Sequence, residues 1–265
     1  MTFETVRLTV DDGVATVWMN RPDKRNAFNL QMAEDIIAAY DAIDRDETLK
    51  LVMLRAEGPL FSAGADVTER KGKDVAWLRR ARRLGAKAFA AVSDCAVPSV
   101  AAVQGACIGA GAEMSTACDF IIARDDARFM YPEGRIGSVG ATQRLPRHVG
   151  KALAKELLFT ARFMEADEAL RVGYVNRVVP ADRFEAELAA LADQMRGSKA
   201  LALRLIKKSI DLGGDTDFER GHAIEMLALE RSLADTEWMQ GVEEFAAERG
   251  ARRAEKEIEQ DRDGG

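Results

Sequence analysis

Two segments of the chain combine small, glycine-rich turns with carboxylates at a spacing that suits acid–base chemistry. The first covers residues 61–66, and the second covers residues 103–113, which end at Glu113 and are followed by Glu133. Each segment comes after an apolar run that indicates a strand. Small residues let backbone N–H groups point at a ligand without an intervening side chain. Two such turns beside two carboxylates could stabilise an oxyanion and move a proton next to it.

The histidines and cysteines favour no rival chemistry. His148, which we expect near a helix end, and His222 have no metal-ligand neighbour four residues on, and no serine–histidine pattern includes them. Cys95, Cys107 and Cys118 form no C-x-x-C pair, which predicts reduced and buried thiols. We therefore predict that carboxylates do the acid–base work, and we expect no metal site.

The hydrophobic pattern predicts the elements that must position these groups. Strands are expected at 6–10, 14–19, 51–54, 99–103, 120–123 and 128–131, the first two joined as a hairpin. Helices are expected at 30–44, 75–92 and 109–116, and then at 181–196, 198–212, 216–234 and 236–250. This rhythm of two strands and a helix, followed by helices alone, predicts a layered α/β body with a helical appendage.

Length and charge bound the class of protein. The chain has 265 residues, 47% of them hydrophobic, which suffices for one large domain or for a domain with an appendage. The formal net charge of −6 disfavours non-specific binding to nucleic acid. No apolar stretch approaches the roughly 20 residues that span a bilayer. The first residues lack a basic region followed by an apolar core, so we expect no signal peptide and a cytoplasmic location.

Five motifs then suggest a family. They are residues 20–27, 61–66, 105–113, 131–133 and 142–145. In this order and spacing they resemble the enoyl-CoA hydratase/isomerase family, the crotonase superfamily, and the likeness continues through residues 173–179. The resemblance implies a crotonase-like spiral of ββα units over residues 1–195. It also implies a C-terminal α-helical region, residues 196–265, that assembles the chain into a homo-trimer or a dimer of trimers.

The resemblance also implies roles for individual residues. The substrate would be an acyl-CoA thioester, with CoA as part of the substrate and no separate cofactor. The backbone N–H groups of Ala65 and Ala110 would hold the thioester oxygen, although the family commonly has Gly at the second position. In the hydratase pattern, Glu113 acts as base toward the water that attacks C3, and Glu133 exchanges the proton at C2. Residues expected to contact the substrate or its CoA are Lys24, Arg25, Ala27, Ala63, Asp66 and Gly109.

Alternatives within the same family stay open. The segment between Glu133 and Thr142 is shorter than in typical hydratases, which puts the shape of the acyl group in doubt. A Δ3,Δ2-enoyl-CoA isomerase, which needs mainly one carboxylate, is the nearest rival, and a hydrolase or a hydratase of a cyclic or branched acyl group is another. The basic run 79–83 with Lys87 is interpreted as a solvated helix face, with contact to CoA phosphates as the alternative.

Two functions from other classes are disfavoured. The glycines at 105, 109 and 111 imitate a nicotinamide-binding turn, but no Tyr-x-x-x-Lys pair accompanies them. RNA binding would need basic residues on the first predicted helix. Residues 29–44 contain four acidic side chains and no lysine or arginine, so phosphate would be repelled.

Overall fold

The structure is a computed structural model that describes residues 2–247. The predicted helix 236–250 is helical from 237 to 247, and residues 248–265 of the predicted C-terminal region lie outside the described part. The chain divides into two compact units, Met1–Gly197 and Ser198–Gly265. All of the functional residues predicted from the sequence fall in the first unit.

The first unit is built on a six-stranded sheet in the order β1-β2-β3-β4-β6-β9. Its strands are β1 (Val6–Asp11), β2 (Val14–Met19), β3 (Leu51–Ala56), β4 (Ser99–Val103), β6 (Phe120–Arg124) and β9 (Arg177–Val179). β1 and β2 form the predicted hairpin, with Val6 opposite Met19, and every later neighbour pair is parallel. Parallel pairing requires crossovers, which the helices supply.

A second, three-stranded sheet runs in the order β5-β7-β8. Its strands are β5 (Ala106–Ile108), β7 (Arg128–Met130) and β8 (Met164–Glu165). β4 leads directly into β5 and β6 leads directly into β7, so successive passes of the chain place one strand in each sheet before a helix follows. This alternation confirms the predicted spiral of ββα units. The pattern did not predict β5, because its three residues lie between glycines and read as part of a turn.

The helices that complete the first unit are α1 (Leu30–Asp44), α2 (Val67–Arg70), α3 (Val75–Asp94), α4 (Ala110–Ser115), α5 (Leu145–Thr160), α6 (Ala166–Arg171) and α7 (Phe184–Arg196). The second unit is helical, with α8 (Ala200–Gly213), α9 (Phe218–Leu233) and a further helix at 237–247. Within residues 2–247, no helix has the length and apolar character needed to cross a bilayer.

Each face of the six-stranded sheet has its own core. On one face, alternate strand residues such as Val17, Leu54 and Ala101 pack with the apolar side of α1. On the other face, Met53 and Val100 belong to a cluster that α7 covers. Alternation of side chains along a strand explains why neighbouring residues serve different cores.

The short helix α4 is held against the loop 61–66 by a close approach at Gly111. A β-carbon at this position would lie 2.4 Å from Cβ of Ser62 and 2.8 Å from its Oγ. Real β-carbons do not come this near to other atoms, so only glycine lets the helix and the loop meet. The contact brings the start of α4 next to the loop that the sequence predicted as the other half of the site.

We predict that Gly111→Ala lowers the free energy of unfolding by about 1–3 kcal/mol, because the new methyl group forces the helix away from Ser62. Gly85→Ala is the matched control, since Gly85 is also helical and its β-carbon would meet Cε1 of Phe28 at an ordinary 3.5 Å. That variant should be unchanged or more stable by about 0.5–1 kcal/mol. Urea unfolding of both variants measures the difference, and equal stabilities would contradict the close approach.

Candidate active site

The loop 61–66 is fixed between two other segments by backbone hydrogen bonds. The N–H of Ser62 donates to the carbonyl of Ala106 at 3.1 Å, and its own carbonyl accepts from Ile108 N–H at 2.9 Å. On the other side, Phe28 donates to Gly64 at 2.8 Å and accepts from the N–H of Asp66 at 2.9 Å. The loop is therefore held by backbone hydrogen bonds on both sides, as a central strand is, although it belongs to no sheet.

This clamp determines where the N–H of Ala65 points. Phe28 and Ala65 form an isolated parallel β-bridge, in which both backbone hydrogen bonds of Phe28 are made with the residues on either side of Ala65, not with Ala65 itself. The Ala65 N–H therefore faces away from Phe28, and among residues 2–247 it donates to no protein acceptor. Gly64 makes the geometry available, because its φ of +90° is a conformation that glycine adopts readily.

Ala110 supplies a second unpaired N–H from the first position of α4. The first N–H groups of a helix have no intrahelical acceptor, and this one has no other acceptor in the described part of the chain. Gly109 precedes it with a φ of +49°, and the Gly109 N–H donates to Met130 of β7 at 2.8 Å. The start of α4 is thus anchored to the smaller sheet.

Glu113 and Glu133 lie close together beside these N–H groups. Glu113 is one turn into α4, and Glu133 follows β7 after Tyr131 and Pro132. A β-carbon built on Gly140 would lie 3.5 Å from Oε2 of Glu113 and 3.5 Å from Oε1 of Glu133, so these two oxygens are at most about 7 Å apart. Glu133 Oε1 also lies 3.5 Å from the β-carbon position of Gly109. Both carboxyl groups therefore border the turn that carries Ala110.

Burial favours the protonated form of both carboxyl groups. Burial raises the pKa of Glu113 above its usual value, partly offset by the N–H of Ala141 and the charges of Arg144 and Arg82. Burial, together with the nearby charge of Glu113, raises the pKa of Glu133. Glu133 is 8% exposed, and its Oε2 atom is buried without a hydrogen-bond partner. A carboxyl group whose pKa is raised by burial is a candidate for acid–base catalysis.

A buried pair of tyrosines supports the two segments that carry the glutamates. The hydroxyl groups of Tyr131 and Tyr174 are 2.8 Å apart, and Tyr174 also donates to the carbonyl of Ala112 at 3.4 Å. Tyr131 is two residues before Glu133, and Ala112 is next to Glu113. The pair therefore connects the backbones on which both carboxyl groups depend.

The two unpaired N–H groups and the two glutamates belong to residues that line one pocket of about 280 Å³ in the first unit. It brings together six of the predicted site residues, namely Ala63, Ala65, Gly109, Ala110, Glu113 and Glu133. Neither His148 nor His222 lines it. Cys107 is fully buried and burial raises the pKa of its thiol, so its predicted role in packing is consistent with the structure.

Four predicted site residues do not line this pocket. Lys24 and Arg25 are exposed on the turn that precedes Phe28, and Ala27 is partly buried beside them. The carbonyl of Arg25 accepts from Ala63 N–H at 2.9 Å, so this turn still contacts the loop 61–66.

Asp66, the fourth of these residues, has a structural role, as its contacts show. Its carboxylate caps α2 by accepting from the N–H groups of Thr68 and Glu69, and it pairs with Arg21 at 3.2 Å. Burial alone would raise the pKa of Asp66, but the bonds from Thr68, Glu69 and Arg21 lower it below the usual range. Asp66 thus closes the loop that presents Ala65.

Two arginines in the pocket wall were not predicted as site residues. Arg70 ends α2, and Arg82 lies on α3 within the basic run that the sequence favoured as a solvated face. Arg82 is exposed, but it lines the pocket and donates to the hydroxyl of Ser138. The solvated-face interpretation is therefore incomplete for Arg82. Only the packing of α3 over the pocket distinguishes this arginine from its neighbours.

Comparisons with known proteins give one consistent family. Residues 9–255 match the family described as Enoyl-CoA hydratase/isomerase. The chain is 34% identical to a crotonyl-CoA hydratase of Syntrophomonas wolfei, over 95% of this chain and 98% of that protein. The crystal structure of an enoyl-CoA hydratase from Bacillus anthracis superposes with a TM-score of 0.89 at 30% identity, covering 92% of this chain and 97% of the other.

A further solved structure was determined with a thioester bound. It is a putative enoyl-CoA hydratase from Thermobifida fusca in complex with acetoacetyl-CoA, with a TM-score of 0.79 and 29% identity. The match covers 87% of this chain and 95% of that one. The likeness therefore extends to a protein whose structure contains an acyl-CoA.

We predict that Glu133→Gln makes the protein more stable at neutral and alkaline pH than the wild type. A carboxyl group with a raised pKa in the folded state binds its proton more tightly there than in the unfolded chain, so stability falls as pH rises through the ordinary pKa towards the raised one. Glutamine cannot ionise and escapes this loss. The difference in Tm between variant and wild type should be small at about pH 4 and should grow by about pH 8. A difference that shrinks with rising pH would contradict the burial of a strained carboxylate.

Proposed function

This chain belongs to the enoyl-CoA hydratase/isomerase family, and we propose that it catalyses the reversible syn addition of water to a trans-2-enoyl-CoA thioester. The observation that carries the proposal is the convergence, in one pocket, of two unpaired backbone N–H groups and two neighbouring carboxyl groups. The N–H groups suit the oxygen of a thioester, and the carboxyl groups suit a water molecule beside its double bond. The similarity to a crotonyl-CoA hydratase supports the same reaction.

The N–H groups of Ala65 and Ala110 are proposed to form the oxyanion hole. Addition of water at C3 places negative charge on the thioester oxygen, in an enolate-like intermediate. Donors that are already in place stabilise this charge without waiting for solvent to reorganise. The dipole of α4, whose N-terminus carries Ala110, adds favourable potential at the same point.

The two glutamates are proposed to hold and activate the water. Glu113 accepts a proton as the water attacks C3, and Glu133 delivers a proton to C2. The raised pKa of each carboxyl group supports a part in acid–base catalysis, and the negative charge of Glu113 disfavours ionisation of Glu133 beside it. Their protons belong to the pair as a whole, so the enzyme should show the pKa values of a coupled dyad.

The thioester itself supplies the CoA group, so the proposed reaction needs no resident cofactor and no metal. Ala63 and Gly109 line the pocket and are proposed to border the thioester and its pantetheine arm. Lys24, Arg25 and Ala27 are proposed to meet the adenosine end outside the pocket, where the two basic side chains are exposed. Asp66 is proposed to act through the loop, by holding the turn that presents Ala65.

Isomerisation of the double bond is the alternative that the sequence left open. That reaction needs mainly one carboxylate to move a proton between two carbons. The presence of Glu113 and Glu133 around the same space favours hydration, which must hold a water as well as transfer a proton. The loop 134–141, which differs from typical hydratases in length, contributes Ile136, Val139 and Gly140 to the wall and so bears on the acyl group.

We also propose that the chain assembles as a homo-trimer or a dimer of trimers in the cytoplasm. Large apolar side chains of the helical second unit are exposed, among them Ile206, Ile210, Phe218, Leu227 and Trp238. Apolar side chains exposed in such number are typical of a surface that another chain covers. The three cysteines are free and buried, as suits a reducing compartment.

We predict that Glu113→Gln and Glu133→Gln each reduce the turnover of crotonoyl-CoA by about 10²–10⁴-fold, the usual contribution of a general acid–base group. The assay follows the loss of absorbance of the conjugated thioester. Glu34→Gln, the same chemical change at an exposed position of α1 outside the pocket, should retain full activity. An isomerase would show a different pattern, since its activity would survive Glu113→Gln and depend on Glu133.

We predict that Ala110→Pro reduces kcat by about 10²–10³-fold, because proline removes one donor of the oxyanion hole. The first position of a helix tolerates proline, so α4 should persist. Ala110→Gly, which keeps the N–H group, is the matched control and should stay active. A fully active Ala110→Pro variant with an unchanged circular dichroism spectrum would exclude this N–H from the reaction.

A further inference from the structure

The pocket wall contains two cationic side chains for which the proposed reaction has no use. They are Arg70, at the end of α2, and Arg82, on α3. The protein as a whole is acidic, with a formal net charge of −6. The presence of two guanidinium groups in one small pocket of an acidic protein therefore suggests that the pocket binds an anion.

Arg70 is half-buried, and within residues 2–247 its guanidinium makes no hydrogen bond and no ion pair. Its backbone carbonyl accepts from the N–H of Lys73 at 3.2 Å. Burial lowers the pKa of Arg70, and the nearby positive charge of Arg82 lowers it further, while the charges of Glu69 and Asp66 offset part of this. A guanidinium that has lost part of its hydration without gaining a direct hydrogen-bond partner is suited to bind an anion.

Arg82 also has no ion-pair partner among the described residues. It donates to the hydroxyl of Ser138, which is neutral, and no carboxylate of the described residues lies within 4.0 Å of its guanidinium. Its charge lowers the pKa of both Glu113 and Glu133 against the effect of burial. Arg82 therefore lies near enough to the reacting end of the pocket for its field to act there.

The acidic residues nearest to Arg70 have other partners. Glu69 lines the pocket too, but both of its carboxylate oxygens accept from Leu30 N–H at 3.2 Å. Asp66 is paired with Arg21 and caps α2. Among residues 2–247, therefore, no carboxylate directly contacts the guanidinium group of Arg70 or of Arg82. Much of the remaining wall is apolar, including Phe89, Ile136 and Val139.

We propose that Arg70 and Arg82 form a specificity site for a carboxylate at the far end of the acyl chain, so that the preferred substrate is an enoyl-CoA thioester of a dicarboxylic acid. The inference rests on the proposed function and specifies its substrate class. The planar guanidinium fork matches a carboxylate in a bidentate manner. The CoA phosphates, the other anions of the substrate, lie the whole length of the pantetheine arm from the carbonyl, whereas Arg82 is within electrostatic reach of both glutamates.

Binding of saturated thioesters, which cannot be hydrated, tests the site independently of catalysis. The probes are the mono-CoA thioester of pentanedioic acid, pentanoyl-CoA and free CoA, each titrated calorimetrically into the full-length protein. The wild type should bind the dicarboxylate thioester about 10–100-fold more tightly than pentanoyl-CoA, the usual range for hydrogen bonds to charged groups. Arg70→Gln and Arg82→Gln should abolish that preference.

Arg83→Gln is the matched control, because Arg83 adjoins Arg82 but is exposed and outside the pocket. This variant should keep the full preference. Equal affinity of the wild type for the two thioesters overturns the proposal. So does an equal loss of affinity for free CoA and both thioesters in Arg70→Gln and Arg82→Gln, since that result assigns the arginines to the CoA phosphates.

A kinetic comparison separates this inference from the proposed function. The substrates are (E)-pent-2-enoyl-CoA and the mono-CoA thioester of (E)-pent-2-enedioic acid, which differ by a terminal methyl against a terminal carboxylate. We expect kcat/KM to favour the dicarboxylate by about 10-fold or more in the wild type and in Arg83→Gln only. Hydration of both substrates without preference overturns the inference alone. Failure to hydrate either, with the binding preference intact, overturns the proposed function alone.

Discussion

The site depends on one close contact, that between the loop 61–66 and the first turn of α4. Gly111 lets the helix meet Ser62 without a side chain between them, and Ser62 in turn bonds to Asn26 and to the backbone of β5. Because the contact fixes two separate stretches of backbone, it also fixes the N–H groups of Ala65 and Ala110 relative to each other. Preorganised donors of this kind cost nothing to arrange when charge develops.

Burying two carboxyl groups beside these donors lowers the stability of the folded state at pH values above their ordinary pKa. Burial raises the pKa of both Glu113 and Glu133, and one oxygen of Glu133 has no partner. Behind them, the Tyr131–Tyr174 pair connects the backbone segments that carry the glutamates. Buried carboxyl groups with raised pKa values, on backbone segments held in place by hydrogen bonds, are expected where groups exchange protons with a bound molecule.

The sequence predicted the elements and motifs whose signal is local. The hairpin of β1 and β2, the helix α1 and the turn before Ala110 follow from alternation, helical spacing and glycine. The sequence did not predict β5, because three residues carry no period, and it did not identify Arg70 and Arg82 as pocket residues. Their position depends on how α2 and α3 lie over the pocket, and a run of arginines on an amphipathic helix has the same pattern whether it faces solvent or a ligand. That Lys24 and Arg25 are exposed and lie outside the pocket likewise depends on tertiary structure and not on any local pattern.

The most direct test of the account is to follow the atoms of water through the reaction. Crotonoyl-CoA incubated with the enzyme in water labelled with ¹⁸O and deuterium can be analysed by mass spectrometry and NMR. The account predicts ¹⁸O in a hydroxyl group at C3 and one deuteron at C2, added to the same face of the double bond. ¹⁸O in a released carboxylate would indicate hydrolysis, and a double bond shifted to C3–C4 with deuterium at C2 and no ¹⁸O would indicate isomerisation. Either result would contradict the assignment of Glu113 and Glu133 to the addition of water across the double bond.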